Sequence, residues 1–224
     1  MRALEDEVMS DPAEAVEYDA MDFSVTDRRF AELAAQLASR AAPARWIVDL
    51  GSGNAKIPLA MCALLPPAWR VCAVERSAEM LALAIKHQGA APASRGRFHV
   101  VMSDAKQTPF ADASAGLVTS NSLIHHIADP TAVFREIARI AASGSPILVN
   151  DLVRPDSEAR LEQLVQTYAG DASPLQRTLF ANSLRAALSL GEVRQALDAS
   201  GLPDVRVSQI TDRHWSAERE GSET

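Results

Sequence analysis

The stretch Trp46-Ile47-Val48-Asp49-Leu50-Gly51-Ser52-Gly53-Asn54-Ala55-Lys56 decides how the chain is read. A short apolar run ends in a carboxylate, a glycine-spaced turn follows, and a helical pattern runs from Lys56 to Leu65 before Pro66-Pro67 closes it. This predicts strand, tight loop, helix. Glycines at 51 and 53 permit positive φ and remove the Cβ atoms that would block a ligand lying against the backbone. The helix N-terminus behind them offers N–H groups and partial positive charge, while Asp49 presents an acceptor at the strand's carboxyl end. Such a corner suits a ligand that carries both polarities.

The spacing excludes a dinucleotide fingerprint, because the position of its third glycine holds Lys56. Acid-x-Gly-x-Gly is matched, at Asp49, Gly51 and Gly53. A second apolar strand, Arg70–Glu75, also ends in an acid, and a carboxylate there can accept two hydrogen bonds from the vicinal hydroxyls of a ribose. Ser77 then caps a helix that stops at Gly89. A third strand, Phe98–Met102, leads to Ser103-Asp104-Ala105, and a fourth, Gly116–Asn121, to Ser122-Leu123-Ile124-His125-His126.

These motifs, in this order, resemble those of class I S-adenosylmethionine-dependent methyltransferases, whose usual third glycine is here Ala55. The segment from Asp104 to Asp129 is similar to the ubiquinone/menaquinone-biosynthesis C-methyltransferase-like proteins and their small-molecule relatives. It departs from them at Gly116, where an acid usually opens the fourth strand. The resemblance implies S-adenosylmethionine as cofactor, held by Asp49, Gly51, Ser52, Gly53, Asn54, Glu75, Arg76, Asp104, Ala105 and Asn121. Within that set it implies that Asp104 accepts from the adenine amino group, that the Ala105 N–H meets the ring, and that Asn121 touches the methionine part or the acceptor. A small-molecule acceptor is also implied.

Strand and helix patterns alternate five times up to Ile147–Asn150, which predicts a parallel sheet with helices on both faces. Asp49, Glu75, Asp104, Asn121 and Asp151 then converge on the rim where ligands of such sheets sit. The expected fold is α/β, a doubly wound, Rossmann-like sheet of seven strands with an antiparallel last strand. One domain is expected over 1–224: an N-terminal helical lid at 1–43, a cofactor-binding core at 44–151, a helical insertion at 152–190, and a C-terminal helix with the last strands at 191–224. The lid has helices over Ala13–Ala20 and Asp27–Ala42, with Tyr18, Met21 and Phe23 as candidate water-excluding residues. The insertion has helices over Asp156–Tyr168 and Pro174–Leu188. A capping box at Ser189-Leu190-Gly191-Glu192 starts a helix to Ser200, strands follow at Val205–Ile210 and His214–Ala217, and Glu218–Thr224 reads as a loose tail.

The net charge is −7 with no basic run, which disfavours nucleic acid and an anionic membrane as partners. No apolar stretch approaches a membrane span, and a cytoplasmic location is expected, as monomer or homodimer. Cys62 and Cys72 sit in apolar runs without metal-ligand spacing, so no metal is expected. Methyl transfer requires alignment, exclusion of water and, for a protic acceptor, a base; His125, Asn121 and Tyr18 are the catalytic candidates. As neighbours His125 and His126 are expected to point apart, with His126 the buried structural one. Asp151 is expected to pair with Arg154. Two alternatives remain: a non-catalytic binder of adenosylmethionine or its product acting through a partner, and a nicotinamide-dependent oxidoreductase, against which Lys56 argues.

Overall fold

Each apolar run with an extended pattern becomes a strand, and together these form one seven-stranded sheet in the computed structural model, which describes residues 2–4, 7–40 and 45–221. The strands are β1 (Trp46–Leu50), β2 (Arg70–Glu75), β3 (Phe98–Met102), β4 (Leu117–Asn121), β5 (Ile147–Leu152), β6 (Arg206–Gln209) and β7 (His214–Arg219). Their order is β3-β2-β1-β4-β5-β7-β6. All run parallel except β7, which is antiparallel to both β5 and β6. Because β1 lies between β2 and β4, the order reverses beside it, and the crevice at this switch point opens above the glycine loop.

The helices are α1 (Pro12–Ala20), α2 (Ser24–Ala38), α3 (Lys56–Leu64), α4 (Ala78–Gly89), α5 (Pro130–Ile140), α6 (Glu158–Ala169), α7 (Pro174–Ala186) and α8 (Leu190–Asp198). On one face α5 and α8 bury Val133, Phe134, Ile137, Val193 and Leu197 against Val48, Val118, Val149 and Trp215. On the other, Phe30, Ala34 and Leu37 of α2 and Met61 of α3 meet Ile47, Val71, Leu117 and Leu148. Alternate residues of each strand thus serve opposite faces, as period two demands. Cys62 and Cys72 are buried, and burial pushes both thiols up to about 11. In the insertion, α6 and α7 close a smaller core of Leu161, Leu164 and Leu184 over Leu152.

Several boundaries differ from expectation. Asp11 accepts from the Ala13 N–H, so α1 begins one residue early, at Pro12. The second helix starts at Ser24; its expected last residues, Ala41 and Ala42, lie outside the described residues. Helix α5 ends at Ile140, and Gly144 turns the chain afterwards at φ 67°. Strand β5 runs on to Leu152 and β7 to Arg219, because the two pair from Ile147↔Arg219 to Leu152↔His214. Glu218 and Arg219 are therefore strand, not tail; Ser222–Thr224 of that tail lie outside the described residues. The capping box at Ser189 with Glu192 forms as read, and Ser173 makes another with Gln176. Among the described residues no helix is long and apolar enough to cross a membrane.

Candidate active site

The turn after β1 is fixed by its backbone. Gly51 and Ser52 both donate to the Val74 carbonyl, at 2.9 and 3.0 Å, and φ is 69° at Gly51, 53° at Gly53 and 60° at Ala55. A Cβ on Gly51 would stand 2.7 Å from Leu123 Cδ1, so glycine is demanded there by conformation and by space. At Gly53 nothing lies within 4 Å of the Cβ position, which leaves that side open for a ligand. Ala55 tolerates the left-handed region without a glycine's freedom and is fully buried.

Glu75, at the end of β2, reaches across this loop. Its Oε2 accepts from the Gly53 N–H at 2.9 Å and its Oε1 from the Arg76 and Ser77 N–H groups at 2.8 Å each. Beyond it an open cleft of about 320 Å³ is walled by Gly51, Glu75, Asp104, Ala105, Leu123 and Ile127. The Arg76 guanidinium crosses its mouth to Asp104 at 3.3 Å. Burial works against the charge of Asp104, but hydrogen bonds from the Lys106 N–H and ammonium and the nearby Arg76 outweigh it and hold its carboxyl below the usual value. The loop carrying Asp104 and Ala105 is held from outside: buried Glu136 of α5 accepts from the Thr108 N–H and hydroxyl and from Arg139.

Asp49 lies beneath the loop, 3% exposed, and accepts from the Thr119 hydroxyl at 2.6 Å. Burial pushes its carboxyl up to about 6, against that hydrogen bond and aided by the charge of Glu75. Ser52 donates its hydroxyl to the Asp49 carbonyl. Asn54 turns away from the cleft: its amide donates to Asp19 at 2.8 Å, and Asp19 also meets the Lys56 ammonium at 3.2 Å and the His87 ring at 2.8 Å. The end of α1 is thereby clamped to the glycine loop and to α4.

The acceptor side differs most from expectation. Asp151 does not pair with Arg154, which turns to Glu192 at 2.9 Å. Instead Asp151 Oδ1 meets His125 Nδ1 at 2.6 Å and its Oδ2 accepts the His125 N–H at 3.0 Å. His125, not His126, is the buried ring, at 3% exposure. The two rings do not point apart either: their centroids are 4.0 Å apart and tilted by 38°. Asn121 donates to the Ser122 hydroxyl at 3.2 Å on the other side of this turn. Tyr18 comes from α1 and packs its ring 5.6 Å from Phe23. Burial and the charges of Asp27, Glu75 and Asp151 push its hydroxyl up to about 12, so it is a neutral donor at every working pH.

The structure thus gathers Gly51, Glu75, Arg76, Asp104 and Ala105 around one cleft and sets Asp49, Ser52 and Gly53 behind it. Sequence reasoning missed Glu7, Asp19, Lys106 and Thr119. Only Thr119 carried a signal, since β1–β4 adjacency and period two place it opposite Asp49.

Residues 48–149 match the family described as methyltransferase domain. The demethylmenaquinone methyltransferase of Mycolicibacterium vanbaalenii is 28% identical over 197 residues, covering 84% of this chain and 81% of that protein. That of a Roseiflexus species is 27% identical over 202 residues, with the same coverage. The crystal structure of an S-adenosylmethionine-dependent methyltransferase from Aquifex aeolicus superposes with a TM-score of 0.67 at 15% identity, over 94% of this chain and 98% of that one. Over residues 48–149 the chain carries a methyltransferase domain of the class I S-adenosylmethionine-dependent kind. It is therefore an enzyme whose cofactor is S-adenosylmethionine, and the nicotinamide reading is set aside. As a methyltransferase it needs no further activating group on the donor side, which places the chemical burden on acceptor alignment.

Proposed function

We propose that this methyltransferase passes a methyl group to a small aromatic acceptor bearing an acidic hydroxyl, of the hydroquinone or naphthohydroquinone type, with His125 as base. The observation that carries this reading is the buried His125–Asp151 pair at the carboxyl ends of β4 and β5. Burial opposes the Asp151 charge, but the His125 ring and the N–H groups of Leu152 and His125 outweigh it, so the carboxylate stays ionised below its usual value. An ionised partner at Nδ1 fixes ring tautomer and orientation and supports an imidazolium. In this reading the His125 ring exchanges the proton of the acceptor. The names of the curated relatives support the acceptor class, and the net charge of −7 argues against nucleic acid.

For the cofactor, Glu75 offers its carboxylate to the ribose hydroxyls, Asp104 and Ala105 meet the adenine, and Asp49 with the Gly51-Ser52-Gly53 backbone and Asn121 hold the methionine part. The fit rests on the open side at Gly53 and on two acceptors facing one cleft. When bound, the cofactor supplies an electrophilic methyl on a positively charged sulfur. His125 would take the proton of the acceptor hydroxyl and so leave the acceptor electron-rich enough to receive that methyl group. Neutral Tyr18, brought by α1, donates to the acceptor and closes the site to water. In this reading 1–43 and 152–190 cover a core of 44–151, and 191–224 completes the sheet.

The test is transfer of radiolabelled methyl from S-adenosylmethionine to reduced 1,4-naphthoquinone, alongside calorimetric titration with S-adenosylhomocysteine. Labelled product that vanishes in His125→Asn, from a variant that still binds the homocysteine product, is the expected result. A folded wild-type protein that binds the product and labels no hydroquinone overturns the acceptor class.

A further inference from the structure

Ahead of α1 the described residues run across the mouth of the cleft and touch three separate elements. Ser77, after β2, donates its hydroxyl to the Met9 carbonyl at 2.6 Å. Glu7 receives the Lys106 ammonium at 2.6 Å, beside Asp104. Arg2 lies against the turn Ile124–His126: its Nη2 donates to the carbonyls of His125 and Ile127, both at 2.8 Å, and its Nε to the Ala186 carbonyl at the end of α7 at 2.5 Å. The Ala3 N–H donates to Arg185 in the same place, at 3.2 Å.

In the turn's own backbone bonds the carbonyls of Leu123 and Ile124 accept from the N–H groups of His126 and Ile127. Those of His125 and Ile127 go to Arg2. Among the described residues, Asp151 holds residue 125 at its N–H and ring and Arg2 holds it at its carbonyl. A planar guanidinium holds several carbonyls in one fixed fork, whereas an ammonium offers three rotatable donors on a flexible stem. Burial lowers the Arg2 pKa, in keeping with a cation pressed into the fold and not waving in solvent.

We propose that Arg2 is a positioning residue for methyl transfer: its guanidinium fixes the turn that carries His125, so that the base is aligned only while the N-terminal strap lies across the cofactor cleft. The inference rests on His125 being the base. It links three events that the sequence keeps apart: strap closure over Lys106, docking of α7, and orientation of the imidazole. Arg2 walls no part of the cleft, so its role is distinct from that of Glu7, which does.

The experiment is NMR of ring-13C-histidine protein saturated with S-adenosylhomocysteine, with the His125 signal assigned by its loss in His125→Asn. In Arg2→Ala that signal is expected to broaden or split while those of His87, His99 and His214 hold, with affinity for S-adenosylhomocysteine within about twofold of wild type, as for an independent site. Added guanidinium ion should sharpen it again; Arg2→Lys should resemble Arg2→Ala. An unmoved His125 signal overturns the proposal. So does a loss of affinity of about tenfold or more, which would make the strap a cofactor cover and nothing else. A His125→Asn protein that labels the naphthohydroquinone at the wild-type rate would instead sink the base reading, and with it the catalytic meaning of the Arg2 contact, whatever the spectrum shows.

Discussion

Asp49 and Asp151 stand at the carboxyl ends of two strands of one sheet, 3% and 1% exposed, yet their carboxyls move in opposite directions. Burial acts on both alike. Asp49 has the Thr119 hydroxyl, no cation, and the like charge of Glu75 nearby, so its carboxyl rises to about 6. Asp151 has the His125 ring and two N–H groups, and its carboxyl falls. Equal burial thus gives one carboxylate that is already paired and one that is short of a partner. The first is a finished contact within the protein; in the function proposed above, the second awaits the cationic end of the cofactor.

Removing the pairing should cost most where it is complete. In Asp151→Asn the amide N–H₂ would face N–H groups where a carboxylate oxygen now accepts them, and a buried pair broken on one side typically costs about 3–5 kcal/mol. Loss of base orientation should also lower turnover about 10²–10⁴-fold, the usual worth of a positioned base. Denaturant melts and the radiolabel assay read the two effects. A variant as stable as wild type would show that the His125 contact adds nothing to the fold.

Asp49→Asn should go the other way. A carboxyl raised from 3.8 to about 6 in the folded protein destabilises it once ionised: the contribution of Asp49 to stability is fully present below pH 3.8 and declines as pH rises towards 6, with the full penalty present above that. The asparagine keeps the Thr119 hydrogen bond and removes the charge, so at pH 8 the ligand-free variant should gain about 1–3 kcal/mol while binding the cofactor more weakly. Equal stability of wild type and variant at pH 8 would erase the contrast between the two acids.

Glu75→Ala should weaken S-adenosylhomocysteine binding by about 1–3 kcal/mol, the scale of hydrogen bonds to a charged group, as read by calorimetry. It should also loosen the loop, since the carboxylate holds the Gly53 N–H.

Asp49, Gly51, Glu75 and Asp104 were legible because each is fixed by local rules: an apolar run, its end, a turn, a cap. The Asp151–His125 contact was not. Asp151 and Arg154 are sequence neighbours and invite pairing, but β5 continues to Leu152 under the pull of β7, and this sends Arg154 past the strand end to Glu192. The strap contacts of Glu7 and Met9 and the Asp19 clamp were equally invisible, because polar residues without periodicity reveal partners only once the sheet has brought Lys56, Ser77 and Lys106 together.

The smallest effect expected concerns Ala55, which takes φ 60° without being glycine. Ala55→Gly removes about 1–2 kcal/mol of left-handed strain. It also frees the unfolded chain, which costs about 0.4–1 kcal/mol, and deletes a methyl group that is fully buried against α2 and α3. The two sides nearly cancel, so the net change should lie within about 1 kcal/mol, with cofactor affinity unaltered. Gly51→Ala at the same loop, with its Cβ driven to 2.7 Å from Leu123, should exceed that several times over. If the two variants instead behaved alike, the Leu123 contact, and with it the wall shared by the glycine loop and the His125 turn, would not be as close as 2.7 Å.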